Sequence, residues 1–273
     1  MVSPDPVRAL RGIYSREIQD LIRNARGEAV THIREHFKYR REIDVEQIRR
    51  ILEKIFARRG GVTDRGREVI ARNTRNAYLR GVDRTLSALQ YAQRPADVGL
   101  SLSARFDMVD EQAVKNLASM QFTELEGITS EISEKLVRHL VEADKQGAGI
   151  TKISRVIADD FRDIGQARAE ALARTSLNNA YNDAAWTRIQ KYAPYKEWLR
   201  THDDKTRPGH AAMEGVIIET DELFHVPAFL PTPKSRKEVP EAWMYFPGDV
   251  SQNPPLAQRI NCRCTLAPRF VKR

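Results

Sequence analysis

Apolar residues recur at three- and four-residue steps through most of the first two-thirds of the chain, which is the period of an amphipathic helix. Asp5 and Pro6 form a helix-opening pair. After them, Val7, Leu10, Ile13, Tyr14, Ile18, Leu21, Ala25, Ala29, Ile33 and Phe37 mark one face. A second helix is expected to start near Asp44, with Val45, Ile48, Leu52 and Ile55 inward. It should stop at Gly60 and Gly61 with Arg58 and Arg59 in its last turn, where the macrodipole favours cations. A third is expected from about Thr63 to Gln93, burying Val69, Ile70, Ala77, Val82, Leu86 and Leu89. Shorter helices then follow at about 107–122, 129–145 and 151–161, the second capped by Thr129 and closed near Gly147 or Gly149. A long Ala-rich helix is expected over about 165–192, with Ala167, Ala171, Leu172, Thr175, Asn179, Asn182, Trp186 and Ile189 along its stripe. Asn178, Asn179 and Asn182 interrupt that stripe. They are poor helix formers and need hydrogen-bond partners if buried.

Past Pro194 the helical period disappears. Short β-like pieces remain at 195–200, 216–219 and 264–266, joined by long loops rich in Pro, Gly and Asn. Such a segment buries little apolar surface by itself, so it should pack on the long helix before it, with a metal as one way to staple it. The fold class expected is α+β, mostly α. A basic helical region covers 1–94, a helical connector 95–146, and a small C-terminal α+β domain 147–273, built on the long helix with short irregular strands.

Charge divides the chain unevenly. Of 45 Lys and Arg against 37 Asp and Glu in 273 residues, the first 94 positions hold 21 basic and 12 acidic side chains, the rest 24 and 25. The whole surplus therefore lies in the first third, and most of it is Arg. That asymmetry suggests an acidic partner, nucleic acid or a membrane surface. Arg58, Arg59, Arg65, Arg67, Arg72, Arg75, Arg80 and Arg84 are the candidates for phosphate contact, each releasing counterions as it binds. Few aromatics lie among them, which argues against base stacking and for DNA contact without sequence readout. The plainer reading is a set of salt-bridged helix surfaces, since most of these arginines have Glu or Asp within four residues.

The longest run free of Asp, Glu, Lys and Arg is the eleven residues from Leu223 to Pro233, broken by prolines, so no membrane-spanning stretch is expected. The first residues lack the apolar stretch of a secretory signal. Two cysteines two positions apart cannot make a disulfide framework. A soluble protein of a reducing cytoplasm is the expectation.

The polar residues of the last third form one compact set. Cys262 and Cys264, spaced C-x-C, can both reach one metal ion, and thiolates are good zinc ligands. His210 is a candidate third ligand; Asp203, His202, His225 or water is the fourth. Two readings stand: a structural zinc, or two small buried thiols of an ordinary core. His202, Asp203, Asp204 and His210 can also be read as ligands of a divalent ion for phosphodiester hydrolysis, with Arg207 on a phosphate. Against that, Asp203-Asp204-Lys205-Thr206 is a good turn sequence. No Gly-rich phosphate loop, G-x-S-x-G elbow or H-E-x-x-H pair occurs, and no enzyme is expected. Arg174, Asn178 and Asn182 share one helix face, beside Thr175. They either clamp the loop holding Asp203, through an Arg–carboxylate bond, or form a solvated face.

Several stretches together resemble the phage Mu F-like minor head protein (head morphogenesis) family. They are Gly149-Ile150-Thr151 opening a helix; Leu172-Ala173-Arg174-Thr175 with Asn178 and Asn182; Glu197-Trp198; and Asp203 to His210 as D-x-x-T-R-P-x-H. Gly215, Phe224, Pro227 and Asn261-Cys262-Arg263-Cys264-Thr265 complete the set. The resemblance implies a minor structural protein of tailed-phage or prophage heads. Such a protein joins procapsid assembly in the host cytoplasm, associates with the portal and other capsid or scaffold proteins, and in some members contacts DNA inside the head. No catalytic residue comes with it. Arg174, Thr175, Asn178, Asn182, Trp198, Arg207 and Gly215 are its scaffold positions in this chain. Relatives with Cys in place of Arg207 and His210 would hold a four-thiol site with the closing C-x-C; here only His210 can replace one of those thiols.

Overall fold

The computed structural model of the chain describes residues 5–37, 44–56, 60–92, 109–146, 150–231 and 236–271. Five helices come first: α1 (Arg8–Phe37), α2 (Val45–Phe56), α3 (Val62–Ala92), α4 (Glu111–Lys145) and α5 (Ile150–Tyr192). Then follow β1 (Tyr195–Leu199), α6 (Pro208–Ala212), β2 (Ile217–Glu219), β3 (Phe224–Val226), β4 (Ala242–Met244), α7 (Leu256–Arg259) and β5 (Thr265–Arg269). They pack as two compact units. One is drawn from residues 1–11, 73–117 and 173–273, the other from 12–72 and 118–172. Both units thus use residues from either side of positions 94 and 146.

Local signals start the helices, at Asp44 as expected and at Asp110 a few residues after the expected 107. Asp44 accepts the Gln47 N–H at 3.1 Å, and Asp110 accepts the N–H groups of Gln112 and Ala113, both at 2.9 Å, satisfying donors that a helix start leaves free. α2 is described as far as Phe56, and the expected last turn with Arg58 and Arg59 lies outside the described residues. Two expected breaks are absent. The helices expected at 107–122 and 129–145 are the single α4, because Leu117, Gln121, Leu125, Ile128, Ile132, Leu136 and Leu140 keep one buried register through Gly127. A mid-helix glycine costs about 1 kcal/mol, less than that stripe contributes. Thr129 is no cap; its hydroxyl donates to the Glu126 carbonyl at 2.9 Å, within the helix.

The helices expected at 151–161 and 165–192 are likewise the single α5. Gly165 joins them for a packing reason: a Cβ there would sit 2.7 Å from Cγ2 of Ile22, so only glycine lets α1 and α5 approach. In this helical unit Tyr14, Ile18, Ile22, Leu52, Ile70, Leu125, Ile132, Ile157 and Phe161 form the core, and the Tyr14 hydroxyl donates to Gln121 at 3.1 Å.

The other unit sets small sheets against α5. β1 is central in a three-stranded antiparallel sheet of order β2-β1-β5, with Trp198 opposite Leu266. β3 and β4 form a separate antiparallel pair, with Phe224 opposite Met244, that the sequence pattern did not suggest. Trp186 of α5 stacks on Tyr245 at 4.8 Å and tilts against Phe246 at 5.5 Å, fixing the stretch after β4 on the helix.

β1 turns Lys196 and Trp198 inward, since alternate strand residues share a face. Lys196 is fully buried, with Nζ 5.2 Å from the ring centres of Phe224 and Tyr245 and 6.0 Å from that of Trp186. Its ammonium has no hydrogen-bond partner. Burial lowers its pKa to about 8, against the opposing pull of Asp249, Asp221 and Glu222. The folded value lies below the unfolded one of 10.5, so the unfolded chain holds more protons between the two and stability rises with pH across that window. Urea titrations at pH 8 and pH 10 should therefore show a rise of roughly 1–3 kcal/mol in the wild type that Lys196→Met lacks. Parallel profiles for the two proteins would show that the ammonium is not strained by burial.

Candidate metal centre

Asn261 carries φ +56°, one of two non-glycine residues with positive φ among the described ones, and it folds the Asn261–Cys264 stretch back against α5. α5 holds this loop at several points. Thr175 accepts the Asn261 backbone N–H at 2.8 Å, and Arg174 Nη1 donates to the Asn261 side chain at 3.3 Å. The amides of Asn178 and Asn182 donate to the Cys264 carbonyl at 3.1 and 2.9 Å, and Asn182 also to the Pro247 carbonyl at 2.7 Å. The partner of this face is therefore the cysteine loop, not the loop of Asp203. Nor is the face solvated, since Asn178 and Asn182 are buried. The asparagines interrupt the apolar stripe because main-chain carbonyls need donors there.

Asp203 has a different partner. Arg263, between the two cysteines, clasps it with both guanidinium nitrogens, Nη2 to Oδ1 at 2.7 Å. Oδ1 also accepts the Lys205 N–H at 3.1 Å and the Thr206 hydroxyl at 3.3 Å, which is the turn role of this sequence. Arg263 first of all holds the carboxyl below its usual range. Thr201 donates its hydroxyl to the Arg263 carbonyl at 3.1 Å, and Arg207 donates to the Ile260 carbonyl, so the loop is pinned from both flanks. Gly215, at φ +75°, closes the strand connection by donating its N–H to the Trp198 carbonyl at 3.0 Å.

Within this frame His210, Cys262 and Cys264 come together. The imidazole Nδ1 lies 3.5 Å from the Cys262 sulfur and 3.6 Å from the Cys264 sulfur, and all three residues are buried. Among the described residues this is the group of His, Cys, Asp and Glu side chains that could hold a metal ion. Pro208 at the start of α6 sets the turn that brings His210 inward. The Trp198 ring meets the imidazole edge-on at 5.4 Å. Its indole N–H has no partner at hydrogen-bonding geometry, but it lies on the Cys264 side, where it favours the charged sulfur.

The two thiols are unequal. Cys264 donating to the Cys262 sulfur, and the nearby Arg207 charge, hold Cys262 well below the usual thiol range despite its burial. Cys264, the donor and buried beside that charge, lies well above it. Burial lowers Arg207 in turn, while the two sulfurs beside it favour its charge.

The remaining candidates stand apart from this group. Asp203 is engaged by Arg263 and is not part of it. His202 faces Glu214 at 3.3 Å, and His225 pairs with Glu241 at 2.8 Å and stacks on Trp243. The set His202, Asp203, Asp204 and His210, needed for a divalent-ion nuclease, does not gather into a group that could hold a metal ion.

The arginines of the first third are largely tied to neighbours. In the helical unit Arg65 pairs with Glu28 at 2.9 Å, Arg72 with Glu17 at 2.6 Å, and Arg67 lies over the Phe122 ring at 4.0 Å. In the sheet-bearing unit Arg75 pairs with Glu111 at 3.0 Å, Arg80 donates to the Pro6 carbonyl at 2.6 Å, and Arg84 is half-buried. Gln258 is the residue of the centre that sequence reasoning missed. Its side chain is fully buried and meets His210 Nε2 at 3.2 Å, yet nothing in its local sequence marks it.

No curated protein and no solved structure matches the chain. The span that does match a family model, residues 134–267, contains the Asn178–Asn182 face, the His210 turn and the C-x-C loop. Over that span the chain is similar to the family described as Phage Mu protein F like protein.

Proposed function

We propose that this chain is a minor head protein of a tailed bacteriophage or prophage, acting in head morphogenesis through structural contacts and not as an enzyme. The family match over 134–267 carries this reading. In it the protein joins the procapsid in the host cytoplasm, associates with the portal and other capsid or scaffold proteins, and lies inside the head near the portal. Packaged DNA is its second partner, met without sequence readout. The Arg-rich first third supports that partner: its excess of positive charge survives internal pairing, and the paired arginines Arg65, Arg67, Arg72 and Arg75 remain 40–59 % exposed. No helix among the described residues is long and apolar enough to cross a membrane. Expressed with its head and portal genes, the chain should co-purify with procapsids in few copies and be retained on tagged portal. Absence from both fractions would sink the assignment.

A structural zinc on His210, Cys262 and Cys264 completes the proposal. Ligands about 2.0 Å (N) and 2.3 Å (S) from a tetrahedral ion are spaced about 3.5 Å apart. The observed separations of 3.5 and 3.6 Å match that spacing. A thiol–imidazole hydrogen bond also fits one such distance. Zinc would supply cross-linking here, joining α6 to the loop before β5, and Arg207 would balance the thiolate charge.

A further inference from the structure

We infer that Gln258 is a positioning residue for this centre: it fixes the proton of His210 on Nε2 and so presents Nδ1 to the two sulfurs. The inference follows from a chain of donors and acceptors. One end atom of the Gln258 amide faces two main-chain carbonyls, Pro240 O at 2.7 Å and Pro227 O at 3.4 Å. Carbonyl oxygens only accept, so that atom is the nitrogen. The other end atom is then the oxygen, which also only accepts, and it lies 3.2 Å from His210 Nε2. Nε2 must therefore carry a proton. In the neutral ring Nδ1 is left with its lone pair toward Cys262 and Cys264.

The two carbonyls flank the small β3–β4 sheet, one just after β3 and one just before β4. That sheet thus orients the imidazole through a residue of α7. Gln258 is fully buried, as is His210 to within 1 %, so water cannot substitute for the amide. Ligating histidines commonly donate their second N–H to such a partner, which sets ring orientation and metal affinity.

The metal half of this inference rests on the zinc reading; the proton half does not, and the experiment separates them. Nitrogen-15 NMR of the full-length, metal-free protein at pH 8 should show His210 Nε2 bearing a proton. A bare Nε2 overturns the inference whatever zinc does. Zinc is then titrated in competition with a chromophoric chelator. Gln258→Leu should weaken zinc binding about 10- to 100-fold. Gln258→Glu, taken up as the neutral carboxyl whose hydroxyl donates to the Pro240 carbonyl in place of the amide nitrogen, keeps an oxygen acceptor against Nε2–H and should stay within a few-fold of wild type. Equal affinity in the Leu variant, or an equal loss in both, makes Gln258 mere packing and overturns the inference. A protonated Nε2 in a chain that binds no zinc refutes the zinc reading and upholds the placement of the proton. Should Gln258→Leu not fold, the wild-type proton and the Glu variant decide.

Discussion

Replacing Cys262 and Cys264 together by Ser is expected to remove bound zinc and collapse the packing of the last 80 or so residues, the largest effect of any change here. The reason is the small size of what the metal would hold. The strands after α5 run from three to five residues, and the two sheets have three and two strands. Isolated sheets of that size are marginal. An ion that binds only the folded chain adds about 2.7 kcal/mol at a hundredfold excess over its Kd, and more beyond that. Elemental analysis of the purified protein should give about one zinc per chain, as one His/Cys/Cys group implies. A strong chelator should lower its melting temperature sharply, while the double Ser variant melts low with or without chelator. If the wild type carries no metal and the variant melts within a degree or two of it, the thiols are ordinary core residues.

Trp198→Ala should destabilise the sheet-bearing unit by about 3–5 kcal/mol. Trp198 is fully buried, meets His210 at 5.4 Å and Phe224 at 5.3 Å, and lies opposite Leu266 in the sheet. It touches the centre, the β3–β4 pair and β5 at once, so little can collapse into the space it leaves. Trp198→Phe should cost markedly less, about 1–2 kcal/mol, because it keeps an aromatic ring in most of the same buried space. Urea denaturation of the three proteins measures both differences. A cost below 1 kcal/mol for Ala would show that the surrounding core is plastic and that the ring is not its keystone.

The helical half was legible because a buried stripe dictates its own period. Among the described residues it misled at Gly127, Thr129 and Gly165, residues that often mark helix boundaries. At Gly165 the explanation lies on another element, the side chain of Ile22, which no local window contains. The candidate centre was legible as a set of residues but not as a set of partners. Cys262, Cys264 and His210 converge as their chemistry suggested, while Asp203 belongs to Arg263, a pairing across 60 positions. The asparagines of α5 announced that they needed partners without saying which. Lys196 could have been anticipated, since it stands two residues before a buried Trp on a strand and must share its face. Gln258 could not: its role depends on Pro227 and Pro240, brought to it only by the folded hairpin.

The Asn178 and Asn182 amides reach carbonyls 65 to 86 residues further along the chain. On a ribosome, α5 emerges well before those carbonyls exist, so its inner face must wait, wet and unpaired, until the C-x-C loop has left the exit tunnel. Pairings of such separation form late. A chain broken off before Cys264 keeps the helix but leaves its amides without acceptors, and it never builds the sheet-bearing unit. The asparagine face thus ties completion of the sheet-bearing unit to the arrival of the C-x-C loop.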